Sequence, residues 1–274
     1  MIKILDIPIT DLAEHEVLKL IAKHLFPFHK KLFIATPNPE IILASLKTPL
    51  LNEILKKETF NVPDGAGLLW ANYYLQKTIG HSKLYKLLFF PISAIFFTFN
   101  KKVLPQNFNK VITGTDLMKQ ICLDPHLSKH RIYLLGGKPG TAETVKENFL
   151  SLNSKLNIVE TSAKDPDDES SIEDINNSKA QILFVAYGGS PLKQEMWISN
   201  HLSQLKHIKI VIGVGGAFDY HANKIKRAPG FMRRIGLEWL VRLFTQPKRI
   251  KRIFNAVFIF TFKIIKFNLQ NQNK

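Results

Sequence analysis

The stretch NVPDGAGLLW (61–70) sets one carboxylate, Asp64, between a short apolar run and a helix-forming pattern. Two roles are open to it. Asp-Gly is turn chemistry and Asp is a frequent helix N-cap. The same group at the mouth of a ligand site would take a proton from an attacking hydroxyl as a general base. Other polar and glycine residues follow apolar runs in the same way. Thr36 and Asn38 follow KLFIA, and Gly136, Gly137 and Gly140 follow RIYLL. Gln194 and Glu195 come after AQILFVAYGGSPLK, and Gly215, Gly216 and Asp219 after IKIVIGV. Glycine at such places lets an anionic group approach backbone N–H donors at a helix N-terminus, so a nucleotide or sugar nucleotide fits this pattern. For any single loop, a tight strand-to-helix turn is the plainer explanation. Several such loops at one sheet edge favour a ligand.

The elements that must carry these residues are legible as alternating runs. Residues 31–36, 131–137, 180–189 and 208–216 are almost continuously apolar, as parallel strands covered on both faces are. Helical patterns lie between them at 38–47, 65–76, 115–122, 139–151 and 191–204. The alternation predicts an α/β fold, a Rossmann-like, mainly parallel sheet with helices on both faces. Ligands bind such sheets beyond the carboxyl ends of the strands. SAKDPDDESS (162–171) reads as a solvated loop. The strand signal stops near Tyr220. The expected organisation is therefore a body over 1–222 and a basic, amphipathic helical appendage over 223–274, with an apolar insertion at 84–108.

The chain has 274 residues, 45% of them hydrophobic, and a net charge of +16. That charge asks for an anionic partner: nucleic acid, a phosphorylated substrate or an acidic membrane face. From Lys224 onward only Glu238 is acidic. The single cysteine, Cys122, excludes an internal disulfide framework and a Cys-based zinc site. The nine histidines form no H-E-x-x-H, and there is no G-x-x-x-x-G-K-[ST], G-x-G-x-x-G or G-x-S-x-G motif. No metal and no cofactor are expected. MIKILDIPITDLAEHE is not expected to act as a secretory leader. TGTD (113–116) is a helix N-cap signal, with Thr113 or Thr115 as the cap. LLFFPISAIFFTF (87–99) is short and holds Pro91, and IFNAVFIFTFKIIKF (253–267) is interrupted by Lys263 and Lys266. Neither is expected to cross a bilayer, which takes about 20 apolar residues. Both suit an interface. Core packing for the first, and packing on the body for the second, remain open.

Taken in order, ATPNPEIILAS, NVPDGAGLLWA, VITGTDLM, IYLLGGKPGTAE, ILFVAYGGSPLKQEMWI and VIGVGGAFDYHANKIKRAPGFMRRIGLEWLVRLFTQPKR resemble the WecG/TagA/CpsF glycosyltransferases, the N-acetylmannosaminyl transferase family, over roughly residues 30–252. The resemblance implies an inverting, metal-independent transfer from a UDP-sugar, typically UDP-N-acetylmannosamine. The acceptor would be a polyprenyl-diphosphate-linked sugar, in cell-surface polysaccharide synthesis. The enzyme would be cytoplasmic, peripheral on the inner face of the membrane, and a homodimer. By the same resemblance Asp64 is the base, with Thr36 and Asn38 beside it. Gly136, Gly137, Gln194, Glu195, Gly215, Gly216 and Asp219 would then line the donor site. Arg242, Arg249 and Arg252 would close over the diphosphate, sharing a helical face if the helix continues past Pro247. The remaining basic residues of the tail would face anionic lipid. The chain departs from the family where a Glu-Arg pair precedes the TG-x-DL motif: Asn109 and Lys110 stand there, and Lys110 keeps charge but not fork geometry. GGSPLKQE is also longer than the usual G-x-P-K-Q-E. Two competing readings remain. One is a nucleic-acid-binding protein, disfavoured because the charge lies on apolar helices. The other is an inactive member that only docks on membrane or a partner.

Overall fold

The computed structural model describes residues 1–26, 30–99, 111–188, 193–230, 232, 238–245 and 250–270. Its centre is a six-stranded, all-parallel sheet of β3 (Leu32–Ala35), β4 (Phe60–Asn61), β5 (Ile132–Gly136), β6 (Ile158–Ser162), β7 (Ile182–Ala186) and β8 (Ile210–Gly213). The strands lie in the order β4-β3-β8-β7-β5-β6. The four long apolar runs of the sequence are the four inner strands. Alternate residues enter opposite cores: Phe33, Ala35, Leu183 and Val185 go to one, and Ile34, Ile182, Phe184 and Ile212 to the other. Burial on both faces explains the unbroken hydrophobicity.

Helices α1 (Glu14–His24), α6 (Gly114–Leu123), α7 (Thr141–Leu152) and α10 (Ala217–His221) contribute to one core. The other is covered by α2 (Pro39–Ser45), α3 (Pro49–Glu53), which runs on as a π turn to Glu58, α4 (Ala66–Lys77), α8 (Ser170–Asn177) and α9 (Lys193–His201). A small antiparallel hairpin, β1 (Ile2–Ile4) with β2 (Ile7–Ile9), buries Ile4, Ile7 and Ile9 there as well. The hairpin, α1, β6 and α8 have no counterpart among the elements expected from the sequence. The last of these trims the expected solvated loop, because Ser171 is buried in the first turn of α8.

The apolar segment near residue 90 forms α5 (Lys83–Phe99), one helix despite Pro91. One side packs on α4, where Phe90 meets Trp70 edge-on with ring centroids 5.9 Å apart and Trp70 Nε1 donates to Ser93 Oγ at 3.2 Å. Leu84, Leu88, Ile92 and Ile95, at helical spacing, stay exposed. Beyond residue 222 the regular elements among the described residues are all helices, among them α11 (Glu238–Thr245) and α12 (Ile250–Gln270), the latter with a π turn over Asn255–Ile259. At 21 residues α12 is long and apolar enough to cross a bilayer by length and composition alone, Lys263 and Lys266 included. Lysine is a good helix former, and both residues are exposed without interrupting the helix. The opposite side of α12 is docked on the body. Phe260 and Ile264 are fully buried, Asn268 Nδ2 donates to Thr78 Oγ1 at 2.7 Å, and the buried Lys86 Nζ donates to Asn268 O at 2.8 Å.

Candidate functional site

The parallel sheet puts the carboxyl ends of β3, β8, β7 and β5 on one edge, and the polar residues named above collect there. Thr36, one residue past β3, is buried and donates from Oγ1 to Gly213 O at 3.0 Å. Gly213 ends β8, and a Cβ there would collide with Gln194 Nε2. Gln194 Oε1 in turn accepts from Gly215 N at 2.9 Å, and its Nε2 donates to Glu195 Oε1 at 3.1 Å. Gly114, opening α6, lies on the same spot: a Cβ would be 3.2 Å from Thr36 Oγ1 and 3.1 Å from Val214 Cα. Two strand ends, those of β3 and β8, and two helix N-termini, those of α6 and α9, therefore meet within a few ångströms. Gly213 and Gly114 are small because backbone and side chains close in on them.

Asp64 joins this edge from its far side. Its N–H donates to Pro37 O at 3.0 Å, so the chain after β4 is tied to the turn between Thr36 and Asn38. The N-cap of α4 is Gly65, at φ 99°, not Asp64. Asp64 therefore stands one residue before the N-cap position. Asn38 does have a structural task, because its Oδ1 caps α2 by accepting from Glu40 N at 2.9 Å and Ile41 N at 3.0 Å. Its amide NH₂ remains chemically distinct from that cap. Thr113 is the cap of α6, accepting from Asp116 N at 3.0 Å; Thr115 is not.

The glycine loop after β5 divides into two kinds of position. Gly136, at φ 99°, has no room for a side chain, since a Cβ would be 2.9 Å from Ala186 O. The tight-turn explanation is sufficient there. Gly137, at φ 79°, faces Phe218 of α10, the helix that carries Asp219. Gly215 and Gly216, by contrast, have space beside them: among the described residues a Cβ at either would meet nothing within 4 Å. Asp219 O accepts from Lys224 N and Ile225 N at 2.9 and 3.1 Å, which turns the chain into the basic segment.

Of the basic residues expected at the donor, Lys110 and Arg249 and the side chain of Arg242 lie outside the described residues. Arg252 is described and is paired: Nε donates to Glu40 Oε1 at 2.6 Å and Nη2 to Glu40 Oε2 at 3.0 Å. A second fork is absent from the sequence reading. Arg227 donates to both oxygens of Asp116, at 2.6 and 2.9 Å, which ties the KRAP segment to the first turn of α6. Lys224 Nζ donates to Thr141 Oγ1 at 2.6 Å beside the glycine loop. The TGTD and KRAP motifs are visible in the chain, but nothing in their local pattern says that they touch. Among the described residues no three His, Cys, Asp or Glu side chains converge as metal ligands would.

Glu195 is the electrostatic anomaly of this edge. Burial pushes its carboxyl up to about 7, against smaller opposing contributions from hydrogen bonds with its own backbone and with Gln194. The folded protein therefore holds a proton that the unfolded chain, near 4.5, gives up earlier. Stability from this group is fully present below pH 4.5, falls as pH rises from 4.5 to about 7, and is level above that. A shift from 4.5 to about 7 corresponds to roughly 3 kcal/mol. Glu195→Gln, neutral at every pH, is expected to gain on wild type by about that amount between pH 5 and pH 8. Urea unfolding of both proteins at several pH values measures this. A stability difference that does not change with pH would remove the buried, protonated carboxyl.

Residues 2–91 and 95–274 match the profile described as the glycosyl transferase WecG/TagA/CpsF family. The N-acetylglucosaminyldiphosphoundecaprenol N-acetyl-beta-D-mannosaminyltransferase of Staphylococcus aureus strain MRSA252 is 27% identical over 236 residues, covering 86% of this chain and 80% of that protein. The protein of the same name from strain NCTC 8325 / PS 47 is 27% identical over 239 residues, with the same coverage.

Proposed function

The chain belongs to the WecG/TagA/CpsF family of glycosyl transferases, and on that basis we propose that it transfers N-acetylmannosamine, or a closely related sugar, from a UDP-sugar to a polyprenyl-diphosphate-linked N-acetylglucosamine. The acceptor class follows the names of the relatives from Staphylococcus aureus. The observation that carries the reading is the placement of Asp64 just before its helix, tied to the Thr36–Asn38 turn, on the edge where Gly215 and Gly216 have space beside them among the described residues. A base and a backbone-lined shelf for an anionic group are what a transfer from a nucleotide-sugar needs on the two sides of the reacting carbon.

In this mechanism Asp64 takes the proton of the acceptor hydroxyl, and the freed oxygen pair forms the new bond to the anomeric carbon. The bond to the UDP oxygen breaks on the opposite side, so configuration inverts. Charge gathering on the diphosphate is met by Arg242, Arg249 and Arg252 and by backbone N–H groups, with no metal required. Fixed positive groups help most where charge develops in the transition state. Gln194, held by Gly215 N, keeps the shelf in shape.

The lipid-linked acceptor has to be met at a membrane, and two packed helices supply the surface. α5 exposes Leu84, Leu88, Ile92 and Ile95, and α12 exposes Phe254, Phe258 and Phe262 beside Lys251, Lys263 and Lys266. Apolar side chains flanked by lysines suit the inner, anionic face of a cell membrane, where the protein would bind peripherally.

The test is direct transfer. Purified protein is mixed with a panel of UDP-sugars and a short-chain polyprenyl-diphosphate-N-acetylglucosamine in vesicles. UDP release together with a new glycolipid is the expected result for UDP-N-acetylmannosamine. Absence of product with every donor, from protein that binds UDP, would overturn the reading.

A further inference from the structure

α12 does more than cover the body. It crosses the N-terminal ends of α2 and α4, beside the turn that holds Asp64. Phe260 packs there: a Cβ on Gly67 would be 3.9 Å from its ring and 2.9 Å from Pro39 Cγ. Two turns earlier in α12, Arg252 makes its fork with Glu40, the residue after Pro39. Glu40 is itself fixed, because its N–H is bound by the Asn38 cap and it stands in the first turn of α2, where a carboxylate is favoured by the helix dipole. The pair is partly buried, with side-chain exposure of 36% for Arg252 and 22% for Glu40.

The chemistry of the fork matters. Nε and Nη2 spend two of the five guanidinium hydrogens on Glu40, and the others, including both on Nη1, remain for a second anion. A long, flexible side chain held by a carboxylate has lost its rotamer freedom before that anion arrives. We propose that Glu40 is a positioning residue for the transfer: it holds Arg252 at the mouth of the site so that the remaining guanidinium donors meet the diphosphate of the donor. The proposal rests on the reading of Arg252 as a diphosphate ligand.

The opposite role is a carboxylate that withdraws Arg252 and competes with the diphosphate, and the two roles differ in sign. By charge alone, removing Glu40 should help an anionic ligand bind. If Glu40 positions Arg252, removing it should hurt. UDP and uridine are titrated calorimetrically into full-length wild type, Glu40→Gln, Arg252→Gln and the double variant. The expected result is that Glu40→Gln binds UDP about tenfold more weakly and uridine unchanged. The double variant should bind UDP no more weakly than Arg252→Gln alone, since the two residues act as one unit. Glu40→Asp, which keeps the charge but shortens the reach, should fall between wild type and Glu40→Gln and guards against a folding artefact. Equal or tighter UDP binding by Glu40→Gln overturns the proposal and leaves the diphosphate reading intact. Parallel loss of UDP and uridine binding with a lowered melting temperature makes Glu40 merely structural, which also overturns it. Unchanged UDP binding by Arg252→Gln removes the diphosphate reading itself, and the proposal with it.

Discussion

Asp64→Asn is expected to lower kcat for sugar transfer by about 100- to 10,000-fold, the usual worth of a positioned general base, while UDP affinity and melting temperature stay near wild type. The structural side of that expectation comes from where Asp64 stands, one residue before Gly65, the N-cap position of α4. Its place in the chain is set by a main-chain bond, Asp64 N to Pro37 O at 3.0 Å, which an isosteric amide leaves alone. Asparagine fills the same volume and cannot accept a proton, so the loss should fall on kcat and not on KM. Steady-state transfer, with UDP titration and thermal melting on the same preparation, separates these quantities. Transfer at the wild-type rate would move the base elsewhere along the sheet edge. A collapse of melting temperature would show that Asp64 is structural after all.

Replacing Phe254, Phe258 and Phe262 together by serine is expected to weaken binding to phosphatidylglycerol vesicles by about 100-fold. The three rings are more than half exposed and spaced four residues apart, and the first two are in contact, with centroids 4.9 Å apart. Full burial of one such side chain is worth ~1.5–3 kcal/mol. Partial immersion of three rings gives roughly 3 kcal/mol, or about 100-fold. Phe260 and Ile264 face the body and are untouched, so α12 should stay docked and the folded protein should keep its stability. Vesicle co-sedimentation measures the effect, and raising salt should weaken what remains, because the lysine contribution is screened. Unchanged sedimentation would assign these rings to something other than lipid.

What can be read from the chain and what cannot divide along physical lines. The inner strands β3, β5, β7 and β8 are buried on both faces, so they appear as plain apolar runs. β6 is an edge strand in which only Ile158 is buried, and IVETS carries no such run. The hairpin strands are three residues each, below the length at which alternation is a signal. At the site, Thr36, Asn38, Asp64, Gln194 and the glycines stand out because chemically typed residues at the ends of apolar runs have few local reasons to be there. The forks Arg252–Glu40 and Arg227–Asp116 do not stand out. Their partners are 212 and 111 residues apart, and each half resembles an ordinary charged helix residue until the fold brings it to the other.

The strand order also sets when the sheet of this protein can close during its own synthesis. β8 lies between β3 and β7 and joins both in parallel register. Until it leaves the ribosome, the early part of the sheet (β3 with β4) has no hydrogen-bonded link to the later part (β5, β6 and β7). Thr36 and its partner Gly213 are 177 residues apart, a delay of roughly 10 to 35 s at ordinary rates of translation. For that interval the apolar edge of β3 stays unfinished, and once residue 186 is made the equally apolar edge of β7 waits with it. Long-range parallel pairing of this kind folds slowly and is exposed to aggregation. The last inner strand to be made therefore completes the sheet, and a chain that stops short of residue 213 lacks both the joined sheet and the candidate site.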